Sequence, residues 1–285
     1  MTNLSPRTLE EALEARAAHP EAVPIAGGTD LMVAVNFGRL RPSALLDLTR
    51  IAELGECRRE NGTVFVGAGM TFAQIVRDLA DFRPLVEASR SVGSPQIRNR
   101  ATIGGNLGTA SPAGDAIPVI AAYDADVVVA SKERERRLRW DEFFTGPKRS
   151  ALEPDELIVG VEWKAPDGPG SFAKVGTRNA MVIAIAGVCV QLDPAARGVR
   201  VALGSVAPTV VRAPDAESFA AGAVPWDEPD RPLADSVPAE FARLTAAAAR
   251  PIDDVRGSAS YRRHAVEVLA RRELAWVVDD WRASC

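Results

Sequence analysis

The fold depends on residues 102–115, which read Thr102-Ile103-Gly104-Gly105-Asn106-Leu107-Gly108-Thr109-Ala110-Ser111-Pro112-Ala113-Gly114-Asp115. Glycines, hydroxyls, an amide and a carboxylate lie close together here, so a ligand can meet both bare backbone and directed hydrogen bonds. Asp115 is suited to accept from ribose hydroxyls, as acidic residues do in other nucleotide sites. The alternative is a structured surface loop in which Asp115 caps a helix at about 116–122. This stretch alone leaves both interpretations open.

A second glycine turn lies earlier in the chain, at Pro24-Ile25-Ala26-Gly27-Gly28-Thr29-Asp30-Leu31, between a predicted strand and a predicted helix. Paired glycines let the backbone approach a ligand, and free N–H groups at a helix start favour an anion such as a pyrophosphate. A tight turn with Thr29 or Asp30 as a simple cap is the alternative. The turn is neither a P-loop, since no Gly-Lys-Ser/Thr follows, nor a GxGxxG fingerprint.

Composition excludes several classes of function. The chain has 285 residues, is 47% hydrophobic and carries a net charge of −4, so it lacks the positive field that gathers nucleic acid or anionic membrane. The longest apolar run, Met181 to Leu192, falls short of the roughly twenty residues that span a bilayer and predicts a buried strand. Residues Met1 to Glu10 lack the order of a secretory signal, so we expect a cytoplasmic protein.

Few side chains suggest catalysis or metal binding. Cys57, Cys189 and Cys285 lie far apart and are expected to be free thiols, with no metal site in this chain. An iron–sulfur cluster normally needs four cysteine ligands, so any cluster must come from a partner. His19 and His264 occupy polar helical contexts, and we assign no catalytic residue to this chain.

The order of elements predicts an α+β fold. We expect an α/β lobe at 1–55, a mixed lobe at 56–168, and an antiparallel sheet with a helical bundle at 169–285, divided near the turn sequence PDGPG at 166–170. The predicted strands are 22–26, 44–48, 63–69, 125–130, 157–163, 171–176, 182–192 and 199–206. The predicted helices start at Ser5 and span 31–37, 71–81, 83–92, 116–122, 238–249 and 258–281.

Other surface and core expectations concern segments and side chains beyond residue 130. Residues 208–235 are rich in Pro and Asp, and 132–139 are expected to form an exposed hairpin. One face of the last helix should carry Ala265, Val268, Leu269 and Trp276. A solvated face is predicted for Arg262, Arg263, Arg271 and Arg272. Core or subunit contacts are expected for Trp140, Trp163, Trp226, Trp276 and Trp281.

Taken together, the segments resemble the FAD-binding medium subunit of the molybdenum hydroxylase family of xanthine and carbon monoxide dehydrogenases. The resemblance rests on Ala26-Gly27-Gly28-Thr29-Asp30-Leu31 followed by Thr102-Ile103-Gly104-Gly105-Asn106 and Ala110-Ser111-Pro112-Ala113-Gly114-Asp115. It continues in the same order through 143–147, 156–158, 172–174, 251–258 and 261–262, and so covers nearly the whole chain.

The resemblance implies a two-lobed, PCMH-type FAD-binding domain at 1–168 and a carbon monoxide dehydrogenase flavoprotein-type domain at 169–285. The first turn would wrap the pyrophosphate, and the second would wall the phosphates and ribityl chain. Asp115 would bind near the adenosine or ribityl hydroxyls, helped by Thr109 and Ser111. Ile158, with Leu157, would pack on the flavin ring, and Lys174 would lie near the polar edge of that ring. The implied FAD contacts are Ile25, Ala26, Gly27, Gly28, Thr29, Asp30, Leu31, Thr102, Ile103, Gly104, Gly105, Asn106, Thr109, Ser111, Asp115, Leu157, Ile158 and Lys174. Relatives often carry an acidic residue where this chain has Val182.

The same resemblance implies a redox relay. Electrons would pass from a molybdenum cofactor on a large subunit, through [2Fe-2S] clusters on a small subunit, to non-covalent FAD on this chain, and then to NAD, oxygen or a quinone-like acceptor. The expected assembly is a dimer of heterotrimers. Two alternatives stay open: an independent flavin oxidoreductase with its own substrate, and a non-catalytic nucleotide-binding or assembly protein.

Overall fold

The structure, a computed structural model, describes residues 2–285, and Met1, the first residue of the N-terminal segment considered above, lies outside them. The first lobe contains β1 (Thr2–Leu4), α1 (Leu9–Ala18), β2 (Val23–Ile25), α2 (Leu31–Asn36) and β3 (Ala44–Asp47). Its three strands form a parallel sheet in the order β1-β3-β2. Helix α1 does not start at Ser5 as predicted, because the Thr8 hydroxyl accepts from Glu11 N at 3.1 Å and caps the helix there.

The second lobe is built on a five-stranded antiparallel sheet in the order β4-β5-β10-β6-β7. Its elements are β4 (Cys57–Glu60), β5 (Thr63–Gly67), α3 (Phe72–Asp78), α4 (Arg83–Ser91), α5 (Pro95–Arg98), α6 (Ile103–Thr109), α7 (Ala116–Ala122), β6 (Asp126–Ala130), β7 (Glu135–Arg139), α8 (Trp140–Phe143), β8 (Phe144–Gly146), β9 (Arg149–Ser150) and β10 (Leu157–Lys164). The predicted hairpin at 132–139 corresponds to strand β7 and the turn that joins it to β6.

The glycine-rich stretch 102–115 contains a helix that its composition does not predict. Helix α6 begins after Thr102, whose hydroxyl accepts from Gly105 N at 3.0 Å. A Cβ on Gly104 would lie 2.5 Å from Ala68 Cβ, so only glycine lets α6 rest on the turn that follows β5. The Gly104 N–H donates to Ala68 O at 2.9 Å and fixes this contact. Glycine here serves close packing of a helix as well as backbone exposure.

The C-terminal part pairs an antiparallel sheet with three helices, as predicted. Its elements are β11 (Gly170–Val175), β12 (Ala186–Asp193), β13 (Gly198–Gly204), β14 (Val211–Arg212), α9 (Pro214–Ala223), α10 (Ser236–Ala248) and α11 (Ala259–Ser284). The strands lie in the order β11-β12-β13-β14. Helices α9 and α11 pack on the sheet, and α10 packs on both helices, around a second apolar core that includes fully buried Phe241. The α+β prediction is therefore confirmed.

Two boundaries in this part differ from the predictions. Strand β12 starts at Ala186, which pairs with Val175, and not at Val182, because the preceding residues leave the sheet and line a cleft. Helix α9 lies inside the Pro- and Asp-rich segment. Pro214 occupies its first turn, where a missing N–H has no cost, so the proline starts a helix here.

The side chains of α11 correct two further predictions. Arg262 is 3% exposed, and its guanidinium donates to Ile185 O at 2.5 Å, Ser205 O at 2.8 Å and Asp254 Oδ1 at 2.7 Å. The prediction that it lies on a solvated face is wrong, since the Asp254 carboxylate pairs its charge and two backbone carbonyls accept its hydrogen bonds inside the fold. Trp276, placed on the buried face by periodicity, is 47% exposed.

Trp140, Trp163 and Trp281 are buried, and the ring of half-buried Trp226 lies 5.1 Å from that of Trp281, centroid to centroid. All three cysteines are free. Nowhere in residues 2–285 do three or more His, Cys, Asp or Glu side chains come together to hold a metal ion. No helix in the same range is both long and apolar enough to cross a membrane.

Candidate functional site

The two glycine turns meet in space. A Cβ on Gly27 would lie 2.0 Å from Arg100 O and 2.5 Å from Arg100 C, so the first turn rests directly on the backbone that leads into the second. The Thr109 hydroxyl donates to Asp30 Oδ2 at 3.3 Å and links the turns again. Segments far apart in sequence therefore form two walls of one site.

Between these walls runs a cleft of about 890 Å³. It lies between the first and second lobes, and the start of β10 and the loop before β12 also line it. Of the residues predicted to contact FAD, all but Ile103 and Lys174 line the cleft. Ile103 is fully buried in the core beneath it. A volume of this size suits a large cofactor, since ligand pockets generally span roughly 300–1,000 Å³.

The first turn presents unused backbone donors. Within residues 2–285, no N–H group from Gly27 to Leu31 donates a hydrogen bond to another group of the protein. Gly28 has a φ of +71°, which lets successive amides turn toward one side. Asp30 stands at the N-cap of α2, but its side chain makes no cap hydrogen bond. A row of free amides is a favourable site for an anion such as a pyrophosphate.

The second turn contributes differently. The N–H groups of Ile103 and Gly104 donate to Met70 O at 3.0 Å and Ala68 O at 2.9 Å, and the Gly105 N–H is taken by Thr102. These amides are therefore already engaged inside the protein. The second turn instead lets a ligand approach its backbone closely and presents the polar side chains that follow.

Two of those side chains hold acceptors without partners. Asn106 Oδ1 and Asp115 Oδ1 are buried, line the cleft, and accept no hydrogen bond from any residue in 2–285. Buried acceptors normally have donors, so these two atoms indicate where a ligand supplies them. Hydroxyl groups of a ribityl or ribose unit have the required chemistry.

Asp115 is held in place by Lys174 of β11. Lys174 Nζ donates to Asp115 Oδ2 at 2.5 Å, to Ser91 O at 2.9 Å and to Val182 O at 3.2 Å, and the side chains of Lys174 and Asp115 are each 9% exposed. Burial raises the pKa of Asp115, and the Lys174 ammonium opposes that rise. Asp115 makes no cap hydrogen bond to α7, so its orientation serves the cleft and the ion pair.

The charged residues lining the cleft are mostly acidic. Arg16 is the one cation among the cleft-lining residues of 2–285, and its Nη1 donates to Pro20 O at 3.2 Å and Ala22 O at 2.6 Å. Four carboxylates share the lining: Asp30, Asp115, Glu153 and Glu156. Glu156 is 2% exposed and is bound by both Nε and Nη2 of Arg136, which together with a backbone N–H lower its pKa against the effect of burial.

Sequence reasoning missed part of the lining. Val92, Gly93 and Ile97, just before the second turn, face the cleft, as do Met181 and Ile183 in the loop before β12. The sequence SVGSPQIR at 91–98 did contain a signal, because its glycine and proline indicate a turn. In the structure Gly93 has a φ of +47°, and Pro95 starts a new helix. Met181 and Ile183 gave no such signal, because in the sequence they resemble the beginning of a buried strand. The two histidines lie outside the lining.

Comparison with known proteins agrees with this geometry. Residues 1–163 match the family model described as the FAD binding domain in molybdopterin dehydrogenase. Residues 171–277 match the model described as the CO dehydrogenase flavoprotein C-terminal domain. The two models follow one another in the order that the sequence predicts.

Individual relatives cover most of the chain. The chain is 30% identical over 282 residues to the putative xanthine dehydrogenase FAD-binding subunit of Escherichia coli K12, covering 95% of this chain and 94% of that protein. It is 35% identical over 248 residues to the caffeine dehydrogenase subunit beta of Pseudomonas sp. strain CBB1, covering 83% and 81%.

Solved structures show the same fold. A chain of quinoline 2-oxidoreductase from Pseudomonas putida 86 superposes with a TM-score of 0.89 at 26% identity, covering 98% of this chain and 96% of that one. A chain of carbon monoxide dehydrogenase from Hydrogenophaga pseudoflava gives a TM-score of 0.85 at 26% identity, covering 100% and 98%. With two domain models, near full-length relatives and the cleft in agreement, this chain belongs to the family of FAD-binding medium subunits of the xanthine and carbon monoxide dehydrogenase type of molybdenum hydroxylases.

Proposed function

We propose that this chain is the electron-exit subunit of a molybdenum hydroxylase. Its FAD receives electrons from [2Fe-2S] clusters on a small partner subunit, which are supplied in turn by a molybdenum cofactor on a large partner subunit. The electrons leave to NAD, oxygen or a quinone-like acceptor. The working assembly is a dimer of heterotrimers in the cytoplasm. Several relatives are named as subunits or medium chains of dehydrogenases, which supports a multi-subunit setting.

One observation carries the assignment of this chain's own part. The free amides of Gly27 to Leu31 face the same cleft as the unpartnered oxygens of Asn106 and Asp115. An anion site and a hydroxyl site in one cleft match the two polar parts of a flavin dinucleotide. We assign the pyrophosphate to the first turn and sugar hydroxyls to Asn106 and Asp115. When bound, FAD supplies the ability to take up electrons singly and release them in pairs.

Other side chains orient the cofactor in this proposal. Leu157 and Ile158 begin β10 at the edge of the cleft, and their apolar surfaces suit a flavin ring. A Cβ on Gly108 would lie 3.4 Å from Ile158 Cδ1, so α6 and β10 are in contact there. Thr109 and Ser111 add hydroxyls between the two turns. Lys174 acts through Asp115, because its ammonium already has three acceptors.

The test has two stages. The purified full-length chain should bind FAD in a one-to-one ratio, with the flavin released by denaturation because the attachment is non-covalent. Co-purification from the native source should then bring down iron- and molybdenum-containing subunits. A chain that takes up no FAD would contradict the first stage. Direct reduction of the isolated flavoprotein by an organic substrate would instead favour an independent flavin oxidoreductase.

Replacing Asp115 by asparagine tests the hydroxyl site. The variant removes the carboxylate, while Lys174 keeps Ser91 O and Val182 O as acceptors. We expect the Kd for FAD to rise about tenfold, close to the loss of one charge-assisted hydrogen bond of roughly 1.5 kcal/mol. Fluorescence titration of the apo-protein measures it. The matched control is Asp227→Asn, an exposed aspartate outside the cleft, which should bind FAD normally.

A further inference from the structure

We propose that this chain has a second small-molecule site, which binds a neutral, planar cyclic amide. The site is a pocket of about 530 Å³ that, within residues 2–285, shares no lining residue with the cleft assigned to FAD. The β4–β5 hairpin, the start of α4 and residues 165–170 form its walls. The inference goes beyond the proposed function, because it concerns another pocket and another ligand. An unused hydrogen-bond donor, an unused acceptor and a balanced charge carry it.

The unused donor is the hydroxyl of Tyr123. Tyr123 lines the pocket and is 3% exposed, and its hydroxyl proton has no acceptor in residues 2–285. Burial raises the pKa of this hydroxyl well above its usual value, although the Leu85 amide opposes the rise, so the group stays a neutral O–H donor. Because buried donors normally have partners, a lone donor in a pocket wall indicates an acceptor on a ligand.

The unused acceptor is the side-chain oxygen of Gln191 on β12, a residue that is 1% exposed and lines the same pocket. Its Nε2 donates to Gly168 O at 2.7 Å, Pro169 O at 3.2 Å and Leu192 O at 2.7 Å. Three carbonyl partners settle which end of the amide is nitrogen. Among the residues that the structure describes, these are the only hydrogen bonds of the side chain, so Oε1 is left for a ligand.

Both groups lie beside the first turn of α4. A Cβ on Gly170 would lie 2.2 Å from Gln191 Oε1 and 2.7 Å from Pro84 Cγ, so the oxygen is near Pro84. The Tyr123 hydroxyl is near the Leu85 amide, one residue further along the helix. One small molecule can therefore reach the donor and the acceptor together. A cyclic amide satisfies both, because its carbonyl accepts and its neighbouring N–H donates.

Aromatic and proline rings give the pocket flat apolar walls. Phe82 and Tyr123 line it together with Pro84 and Pro166. The ring of buried Trp163 lies 5.3 Å from the Phe82 ring and 5.4 Å from the Tyr123 ring, centroid to centroid, and supports both from behind. A planar ligand gains apolar contact with such rings, which favours a flat amide over a flexible one.

The charge of the pocket is balanced. Two cations and two carboxylates line it: Arg59, Arg83, Glu60 and Asp81. Arg59 donates two hydrogen bonds to Asp81, at 2.6 and 2.9 Å. Arg83 is bound to Glu87 and Asp280, which lie outside the lining. Because both cations already have carboxylate partners, the pocket favours a neutral ligand, which loses no charge solvation on binding.

The experiment uses the full-length chain saturated with FAD, so that the cleft is occupied. Isothermal titration calorimetry with 2-quinolinone, a flat bicyclic amide, measures binding to the pocket. We expect saturable one-to-one binding, with the absorbance spectrum of the flavin unchanged. The N-methyl derivative of 2-quinolinone lacks the N–H group and should bind about tenfold more weakly, since one hydrogen bond between neutral groups corresponds to roughly that change in Kd.

The variant Tyr123→Phe removes the donor and keeps the aromatic ring. It should raise the Kd for 2-quinolinone about tenfold without lowering the melting temperature of the ligand-free protein, because the parent chain buries an unpaired hydroxyl. A hydroxyl with a purely structural role would lower the melting temperature when removed. The matched control is Tyr261→Phe at the other tyrosine of the chain, which is 46% exposed and lies outside the pocket.

Several results would overturn the second site. One is a parent chain that shows no saturable binding of 2-quinolinone, and another is equal affinity for the N-methyl derivative. A Tyr123→Phe protein that binds the probe like the parent chain would also count against it. So would release of FAD or a change in the flavin spectrum, since the probe would then occupy the cleft. The N-methyl comparison uses the parent chain, so the test stands even where a variant does not fold.

Discussion

Replacing Gly27 by alanine is expected to raise the Kd for FAD at least about 100-fold, a loss of roughly 2.7 kcal/mol of binding free energy. The added Cβ would lie 2.0 Å from Arg100 O, a distance that real contacts do not reach, so the two turns must move apart. Overpacking of this kind costs about 1–3 kcal/mol or more. Because the obstacle is backbone and not a flexible side chain, local rearrangement offers little relief.

The effect should be confined to the cleft. Circular dichroism should show the helices intact, since Gly27 lies far in sequence from the second apolar core around Phe241. The matched control is Gly55→Ala, where an added Cβ would meet nothing within 4 Å. Fluorescence titration with FAD compares the two variants. A Gly27→Ala protein that binds FAD as tightly as the parent chain would show that the contact with Arg100 does not shape the site.

The family resemblance implied that the two turns converge, although the residues of each turn alone left this open, and the structure gives the chemical reason. Paired glycines at Gly27 and Gly104 are costly unless close approach requires them, and both positions do meet backbone of another segment. The strands were also predictable, because alternating or continuous apolar runs between turn residues are typical of sheets. Their ends moved by a few residues, as for β12, where side chains facing a cleft resemble those of a buried strand.

Other parts of the site depend on contacts that no local pattern encodes. Lys174 and Asp115 form a buried ion pair between β11 and the start of α7, although each was expected to contact the cofactor. In the sequence Arg262 resembles a surface residue, but in the fold its guanidinium donates to three oxygen acceptors. Helix α6 has glycine at three of seven positions, and its stability comes from packing on Ala68. Tertiary structure supplies each of these partners.

Glu273 is the clearest case of a residue whose environment the sequence does not reveal. The second large prediction concerns its ionisation. It lies on α11, is 0% exposed, and neither carboxylate oxygen has a hydrogen-bond partner in residues 2–285. The Ser171 hydroxyl between the two carboxyls donates to Glu87 Oε2 at 3.2 Å, so Glu273 is left without a donor. Burial raises the pKa of Glu273 to about 8 and the Glu87 charge adds to this, while the nearby Ser171 hydroxyl and the Arg83 charge oppose the rise.

The sign of the pH effect follows from that shift. Between the unfolded pKa of 4.5 and the folded pKa of about 8, the folded protein binds a proton that the unfolded chain has released. The contribution of Glu273 to the free energy of unfolding is therefore largest at acidic pH and is lost as the pH rises through this window. Between pH 5.5 and 8.5 the loss amounts to about 3 kcal/mol, from 1.36 kcal/mol for each unit of pKa difference.

Replacing Glu273 by glutamine removes the titration while keeping the side-chain shape. At pH 5.5 the variant should have nearly the stability of the parent chain, and at pH 8.5 it should be more stable by about 3 kcal/mol, because the parent then buries an unpaired charge. Urea unfolding followed by tryptophan fluorescence at both pH values measures the difference. Glu267→Gln, at an exposed position on the same helix, should follow the parent chain at both pH values. A Glu273→Gln protein whose stability relative to the parent chain does not change with pH would mean that this carboxyl ionises normally inside the fold, through water or movement of α11 away from α4.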